Sequence, residues 1–277
     1  MPAREVGYLG PPGTYSHLVA QKRYGPGCRM IPLPTVLDVC TFVSGRAERR
    51  GVVPIENSSG GAVYETVDIL LAGKPRVCIL EELALNVNLA LLGRKGEKIR
   101  TLYSHFIPLE HCSSWLRRHL PRVEKRVVAS TALAAQQAWQ QAHAAALAGR
   151  ALARLWHLEV LEYPVQADIP NITVFLAIGG GRIAVQPRSA KTTLAVKLPN
   201  RPGSLCTFLE AFRDEQVNLS RLISRPLRGS PREYTFLVDI EGSPRQTAVK
   251  RALQRARRVA VEVRFVGAFP SRRKYTS

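Results

Sequence analysis

The chain has 277 residues, 45% of them hydrophobic, with 40 Lys and Arg against 21 Asp and Glu, a formal charge of +19. That length suggests about two domains, and that apolar share is ordinary for a globular protein with a sizeable core. No apolar run reaches the ~18 residues of a membrane-spanning helix, "MPAREVGYLG" does not read as a signal peptide, and five scattered cysteines (28, 40, 78, 112 and 206) without a CxxC fit isolated, reduced thiols better than a disulfide framework or a zinc site.

Residues 1–180 alternate strand-like and helix-like segments. "EVGYLG" predicts a strand and 14–24 a helix entered through Thr14 and Ser16. Val36, Val39, Cys40, Val43 and Ala47 follow one helical face. A strand over 51–56 precedes a helix with Val63, Val67, Leu70 and Leu71 on one side. Residues 76–92 and 99–105 are strand-like, and the Ala-rich 131–155 predicts a helix by propensity. "NITVF" (171–175) opens a further strand. This rhythm predicts an α/β domain with helices on a mostly parallel sheet.

Residues 181–191 read as a linker. From 192 to 269, Leu194/Val196/Leu198 alternate, Leu205/Phe208/Leu209/Phe212 are helical, and "VNLSRLIS" and Tyr234/Phe236/Val238/Ile240 are strands. Val249/Ala252/Leu253/Ala256 are helical again, and Val259/Val261/Val263/Phe265 alternate. That is βαββαβ, a ferredoxin-like unit. Residues 270–277 read as a basic tail.

Polar groups gather where strands of the first domain end. Gly10, Gly13, Thr14 and Ser16 stand between a strand and a helix, where N–H groups can face an anion. Glu56, Asn57, Ser58 and Ser59 follow a buried strand, and Ser104 and His105 end another. Asn171 is a poor strand residue and a buried Thr173 needs a partner, so "NITVF" brings polar groups to a pocket or is an edge strand with one satisfied Thr. In open α/β sheets, ligands bind beyond the carboxyl ends of strands. No HExxH or HxxxH spacing links the six histidines, so no metal is expected. The basic runs at 117–126, 250–258 and 272–274 come without a zinc finger, RNP-type or helix-turn-helix pattern. They read as solvated faces, and neither nucleic acid nor a membrane is expected as a partner.

The stretches "GYLGPPGTYS", "VVPIENSSGGAV", "LYSH", "ASTALAA" and "NITVF" together resemble the ordered motif series of prephenate dehydratases, and "NRPGSL" and "SRP" resemble the effector motifs of their ACT domain. The resemblance implies a two-lobed catalytic module similar to periplasmic binding proteins, with a regulatory ACT domain behind it. It implies conversion of the dianion prephenate to phenylpyruvate, water and carbon dioxide, with no cofactor, in a cytoplasmic homodimer or tetramer regulated by phenylalanine. It assigns catalytic roles to Thr173, Glu56, Asn57 and Ser104, and substrate contacts to Thr14, Ser16, Ser58, His105, His111, Asn171 and Phe175. Effector contacts fall on Asn200, Pro202, Gly203, Ser204, Leu205, Ser224 and Arg225.

Three positions depart from the family pattern. Its Thr-Arg-Phe reads Thr173-Val174-Phe175, the Gln before a cysteine reads His111, and the Glu of Glu-Ser-Arg-Pro reads Ile223. In a strand, position 174 faces away from Thr173, so an arginine there would support the site from behind. Alternatives for this chain are a related reaction, either arogenate dehydration or decarboxylation without aromatisation, or an inactive amino-acid sensor.

Overall fold

The computed structural model describes residues 4–165, 167–180, 185, 189–227, 233–270 and 273–277. The first lobe begins with β1 (Glu5–Leu9), α1 (Tyr15–Tyr24), β2 (Arg29–Leu33), α2 (Val36–Val43), β3 (Arg49–Asn57), β4 (Gly61–Ala62), α3 (Tyr64–Ala72) and β5 (Cys78–Asn86). The second lobe holds β6 (Leu89–Gly93), β7 (Thr101–Ser104), α4 (Phe106–His111), α5 (Ser113–His119), β8 (Glu124–Val127), α6 (Thr131–Gln140), β9 (Ala144–Gly149), α7 (Leu152–Leu155) and β10 (Glu159–Val165). The chain then returns through β11 (Ile172–Gly179). Last come β12 (Lys191–Lys197), α8 (Ser204–Arg213), β13 (Leu219–Pro226), β14 (Tyr234–Glu241), α9 (Thr247–Val259), β15 (Glu262–Phe269) and β16 (Arg273–Thr276).

Three sheets result among the described residues. The first lobe's sheet runs β16-β5-β11-β3-β1-β2 with β4 on β3, and the second lobe's runs β10-β6-β9-β7-β8. Both are mixed, not mostly parallel: β11 is antiparallel to β3 and β5, and β6 to β9 and β10. The antiparallel pairs arise where the chain crosses between lobes and comes back. The C-terminal domain has the order β13-β14-β12-β15 with α8 and α9 packed together on one face, the expected ferredoxin-like unit. The segment read as a basic tail instead supplies β16, which pairs in parallel with β5 at the edge of the first lobe's sheet.

The Ala-rich stretch is the main departure in secondary structure. Only α6 and the short α7 are helical, while Ala144–Gly149 form β9, fully buried in mid-sheet between β6 and β7. His143, at φ 58°, ends the turn that leads into it. Alanine's helix propensity is worth only tenths of a kcal/mol over ordinary residues. Small side chains on both faces of β9 let Ala134, Ala135 and Ala138 of α6 pack against it in one cluster, so burial outweighs propensity.

The outer face of the first lobe's sheet is covered by the C-terminal sheet as well as by α2 and α3. Ala195, Leu237, Val266 and Phe269 join Val39, Ile55, Val67, Val174 and Leu176 in one buried cluster. The opposite face of β3 and β11, carrying Val52, Phe175 and Ala177, packs in the core that the two lobes share.

Candidate functional site

Two strands build the site. Thr173 of β11 stands opposite Asn57 of β3, and Val174 opposite Glu56. Phe175 then stands opposite Pro54, which leaves Ile55 as one extra residue on β3. Such a β-bulge turns the side chains that follow it. Here it turns Asn57 toward Thr173, while Glu56 leaves on the other face.

Asn57 is the hub of the front face. Its Nδ2 donates to Asn171 Oδ1 at 2.8 Å and to Thr173 Oγ1 at 2.9 Å. Its Oδ1 accepts from the N–H groups of Ser59 and Gly60 at 3.0 and 2.9 Å. Ser58 locks the same corner: its hydroxyl donates to the Pro170 carbonyl at 3.1 Å and accepts from Ile172 N at 3.0 Å. Asn171 lies on one of the two segments that cross between lobes, and its carbonyl accepts from Val87 N on the other. A threonine hydroxyl has one donor and two acceptor positions. The amide fills an acceptor position on Thr173, and no group among the described residues takes its O–H.

The second lobe faces this corner through α4: a Cβ on Gly60 would stand 2.8 Å from Ile107 Cδ1. His111, at the end of α4, is 2% exposed with neither ring nitrogen hydrogen-bonded, and burial lowers its pKa below 6.5. The neutral ring carries one donor and one acceptor. At the other end of the interface the left-handed Gly13 lies against Leu152 of α7, where a side chain would not fit.

Several of the expected contact residues are engaged within the fold. Thr14 caps α1, accepting from His17 N and donating to the Leu9 carbonyl at 2.9 Å, and Ser16 is buried within α1. Ser104 is wholly buried and donates to the Leu147 carbonyl at 2.6 Å, which joins β7 to β9. His105 caps α4, with Nδ1 accepting from Ile107 N, and burial lowers its pKa. Phe175 is 1% exposed in the shared core, out of reach of a ligand. Glu56, expected to be catalytic, points at the C-terminal domain because strand alternation sends it away from Thr173.

There it meets a charged cluster. Arg221 of β13, 8% exposed, donates through Nε and Nη2 to Glu56 Oε2 at 3.0 and 2.8 Å, and through Nη1 to Asp239. Its Nη2 also lies 3.5 Å from Glu82 Oε2, and Lys191 Nζ is 3.1 Å from Glu82 Oε1. Burial opposes the Arg221 charge, yet Asp239, Glu56 and Glu82 outweigh it and raise its pKa. Asp239 is pushed up by burial, against the pull of Arg221, Thr193 and Lys191. The sequence signal for this cluster was Arg221, Ile223 and Arg225 at every second position of one strand, a single face.

In the C-terminal domain, Asn200, Ser204 and Leu205 line a cavity of about 140 Å³ with Tyr234 and Phe236. Ser204 Oγ is buried there without a hydrogen-bond partner. Pro202 and Gly203 form the exposed turn before α8, with Gly203 left-handed at φ 81°. Ser224 is exposed on β13 and does not line the cavity. Arg225 turns to the catalytic side, pairing with Asp68 of α3 at 2.6 and 2.9 Å and lying over the Tyr64 ring. Ile223, between the two arginines, packs against the cluster that contains Val174.

Two lobes joined by two crossing segments, a polar corner at that crossing and a ferredoxin-like domain behind it define a ligand-cleft enzyme with an attached regulatory module. The prephenate dehydratase family model matches residues 6–182 and the ACT domain model residues 192–258. The chain is 33% identical over 268 residues to a bifunctional chorismate mutase/prephenate dehydratase of Pseudomonas aeruginosa, covering 96% of this chain and 73% of that one. The crystal structure of prephenate dehydratase from Arthrobacter aurescens in complex with L-Phe superposes with a TM-score of 0.86 at 28% identity, over 96% of this chain and 90% of that one. A structure described as a novel type of quorum quenching acylase, GqqA, gives the same TM-score at 26% identity, over 97% and 98%. The chain belongs to the prephenate dehydratase family, whose members are lyases, and carries the C-terminal ACT domain. Fold alone does not decide the reaction; the site must.

Among the described residues, no helix is long and apolar enough to cross a membrane and no group of His, Cys, Asp and Glu is placed to hold a metal ion.

Proposed function

We propose that this chain converts prephenate to phenylpyruvate, water and carbon dioxide. In the step, the bond from ring carbon to hydroxyl oxygen breaks, and so does the bond from ring to carboxyl carbon. The carboxylate's electron pair enters the ring, which becomes aromatic, and the departing hydroxide takes up a proton as water. Aromatisation drives the reaction, so the protein must supply position and a donor for the leaving oxygen.

The observation that carries this reading is the Thr173 hydroxyl. Asn57 donates into its oxygen at 2.9 Å, which orients the O–H and strengthens it as a donor through polarisation along the chain of bonds. That O–H is the group offered to the leaving oxygen. His111, neutral, buried at the end of α4 and with both ring nitrogens unused, supports the reading as a further donor or acceptor behind this corner.

Feedback by phenylalanine fits the ACT cavity, where the unpartnered Ser204 hydroxyl and Asn200 stand beside Leu205 and Phe236. A homodimer or tetramer assembled through the ACT sheet, acting in the cytoplasm, completes the reading.

The test is phenylpyruvate formation from prephenate by the purified chain, beside arogenate as competing substrate. Turnover of prephenate that Thr173→Val lowers by about 10²–10⁴ is expected. Turnover of arogenate alone would reassign the substrate. Phenylalanine binding with no turnover of either would make the chain a sensor.

A further inference from the structure

The rear of the site carries the inference. Val174 is paired in register with Glu56 on one side and Ala84 on the other. Whatever side chain stands at 174 therefore shares a face with Glu56, and valine brings no charge to it. The guanidinium on that face arrives from Arg221, which is 165 residues from Glu56 in sequence and belongs to the ACT sheet. Its planar fork of five donors serves Glu56, Asp239 and Glu82 together. Bonds to ionised partners are also about twice as strong as neutral ones.

Glu56 is the residue that follows the extra Ile55, so it stands at the exit of the bulge, one position before Asn57. Fixing Glu56 fixes the direction in which the chain leaves the bulge, and that direction aims Asn57. Other bonds hold the backbone of the same bulge: Val63 N donates to the Ile55 carbonyl, and the Thr66 hydroxyl of α3 to the Pro54 carbonyl at 2.6 Å. On the rear face, among the described residues, Arg221 is the side chain that grips Glu56.

We propose that Arg221 is a positioning residue for the reaction: the ACT sheet delivers its guanidinium to Glu56, and this hold on the bulge aims Asn57, and through Asn57 the Thr173 hydroxyl, into the cleft. Arg221 thereby does from another domain what valine at 174 leaves undone. The catalytic corner is complete only with the ACT sheet seated. This inference rests on the dehydratase reading for its kinetic consequence, but the grip itself has a readout that does not need turnover.

The experiment uses the full chain and four variants: Arg221→Met, Glu56→Gln, the two combined, and Arg221→Met with Val174→Arg. Steady-state kinetics give kcat and KM, and amide exchange follows Ser59 and Gly60, whose N–H groups Asn57 Oδ1 holds. Misplacing a positioned group by ~1 Å costs up to about a hundred-fold in rate, so R221M should lower kcat about ten- to a hundred-fold. KM should stay within about three-fold, the pattern of an interaction used in the transition state. Exchange at Ser59 and Gly60 should quicken. E56Q should reproduce these effects, the double variant should be no worse than R221M because one interaction cannot be lost twice, and V174R should restore part of kcat in the R221M background.

Unchanged kcat and unchanged exchange in R221M overturn the proposal, as do E56Q and R221M losses that multiply. If R221M does not fold, E56Q decides alone, since its half-exposed carboxylate is a mild site to alter. If the wild type makes no phenylpyruvate, the dehydratase reading fails, and the exchange rates of Ser59 and Gly60 still decide whether Arg221 holds Asn57.

Discussion

Thr173 and Val174 are adjacent in one strand and live in two different environments. On the front face, Asn57, Asn171 and Thr173 form a chain of neutral amides and a hydroxyl, with the Thr173 O–H left unspent. On the rear face, Glu56, Glu82, Asp239, Arg221 and Lys191 meet in a cluster of ion pairs. The contrast follows from what each face must do. A neutral chain stays ordered and still offers a donor to a guest, because no strong partner saturates it. Buried charges tolerate no such vacancy, since desolvation is recovered only when each meets a partner. The front is thus a place for chemistry and the rear a place for fixing geometry, one residue apart.

The largest expected break of this contrast is at the front. Thr173→Val removes the donor and also the acceptor of one Asn57 amide hydrogen, and general-acid assistance of this kind is worth about 10²–10⁴ in rate. Turnover should fall by that order while the thermal midpoint moves by only a few degrees. A variant retaining most of the wild-type kcat would take Thr173 out of the mechanism.

At the rear, Lys191→Met takes a cation from Glu82, which is 0% exposed. Breaking one side of a buried pair costs about 3–5 kcal/mol, and denaturant titration should show a loss of that size. A loss under about 1 kcal/mol would mean that the cluster is already solvated, contrary to the comparison.

Arg225→Ala opens the half-buried pair with Asp68, and exposed or half-exposed pairs contribute about 1 kcal/mol or less. Little stability should be lost. If phenylalanine inhibition is nevertheless abolished while ligand still binds, the pair carries the signal between domains.

The smallest effect sharpens the front face by pH. Burial lowers the His111 pKa from 6.5, so below about 6.5 the unfolded chain takes up a proton that the folded protein resists. The stability is fully present above that pH and declines as pH falls toward the folded value. His111→Gln should flatten this slope in thermal melts recorded across that range, and an unchanged slope would place the titration elsewhere.

Much of this was legible in the sequence. Alternating apolar residues gave the ferredoxin-like unit, and the order of "PIENSSGG", "YSH" and "NITVF" gave the family. Period-two alternation by itself put position 174 behind Thr173. The same rule applied to β3 places Glu56 opposite to Asn57, yet polar residues packed side by side invite one grouping, and Glu56 was assigned to the cleft with the rest. Ser104 and Thr14 show a different limit: a hydroxyl looks the same in sequence whether it meets a ligand or a carbonyl five or forty-three residues away.

What the sequence determined by itself is what short-range periodicity and turn chemistry encode: the strands with alternating faces, the helices with apolar stripes, the capped loops and the order of motifs. The tertiary structure decided the rest. It made a strand of Ala144–Gly149, because burial between β6 and β7 outweighs a weak helical preference. It set β16 at the edge of the first lobe's sheet. It also brought Arg221 to Glu56 across 165 residues. No local pattern can announce such a pairing, because its energy exists only once both strands are buried against each other and the charges have left water.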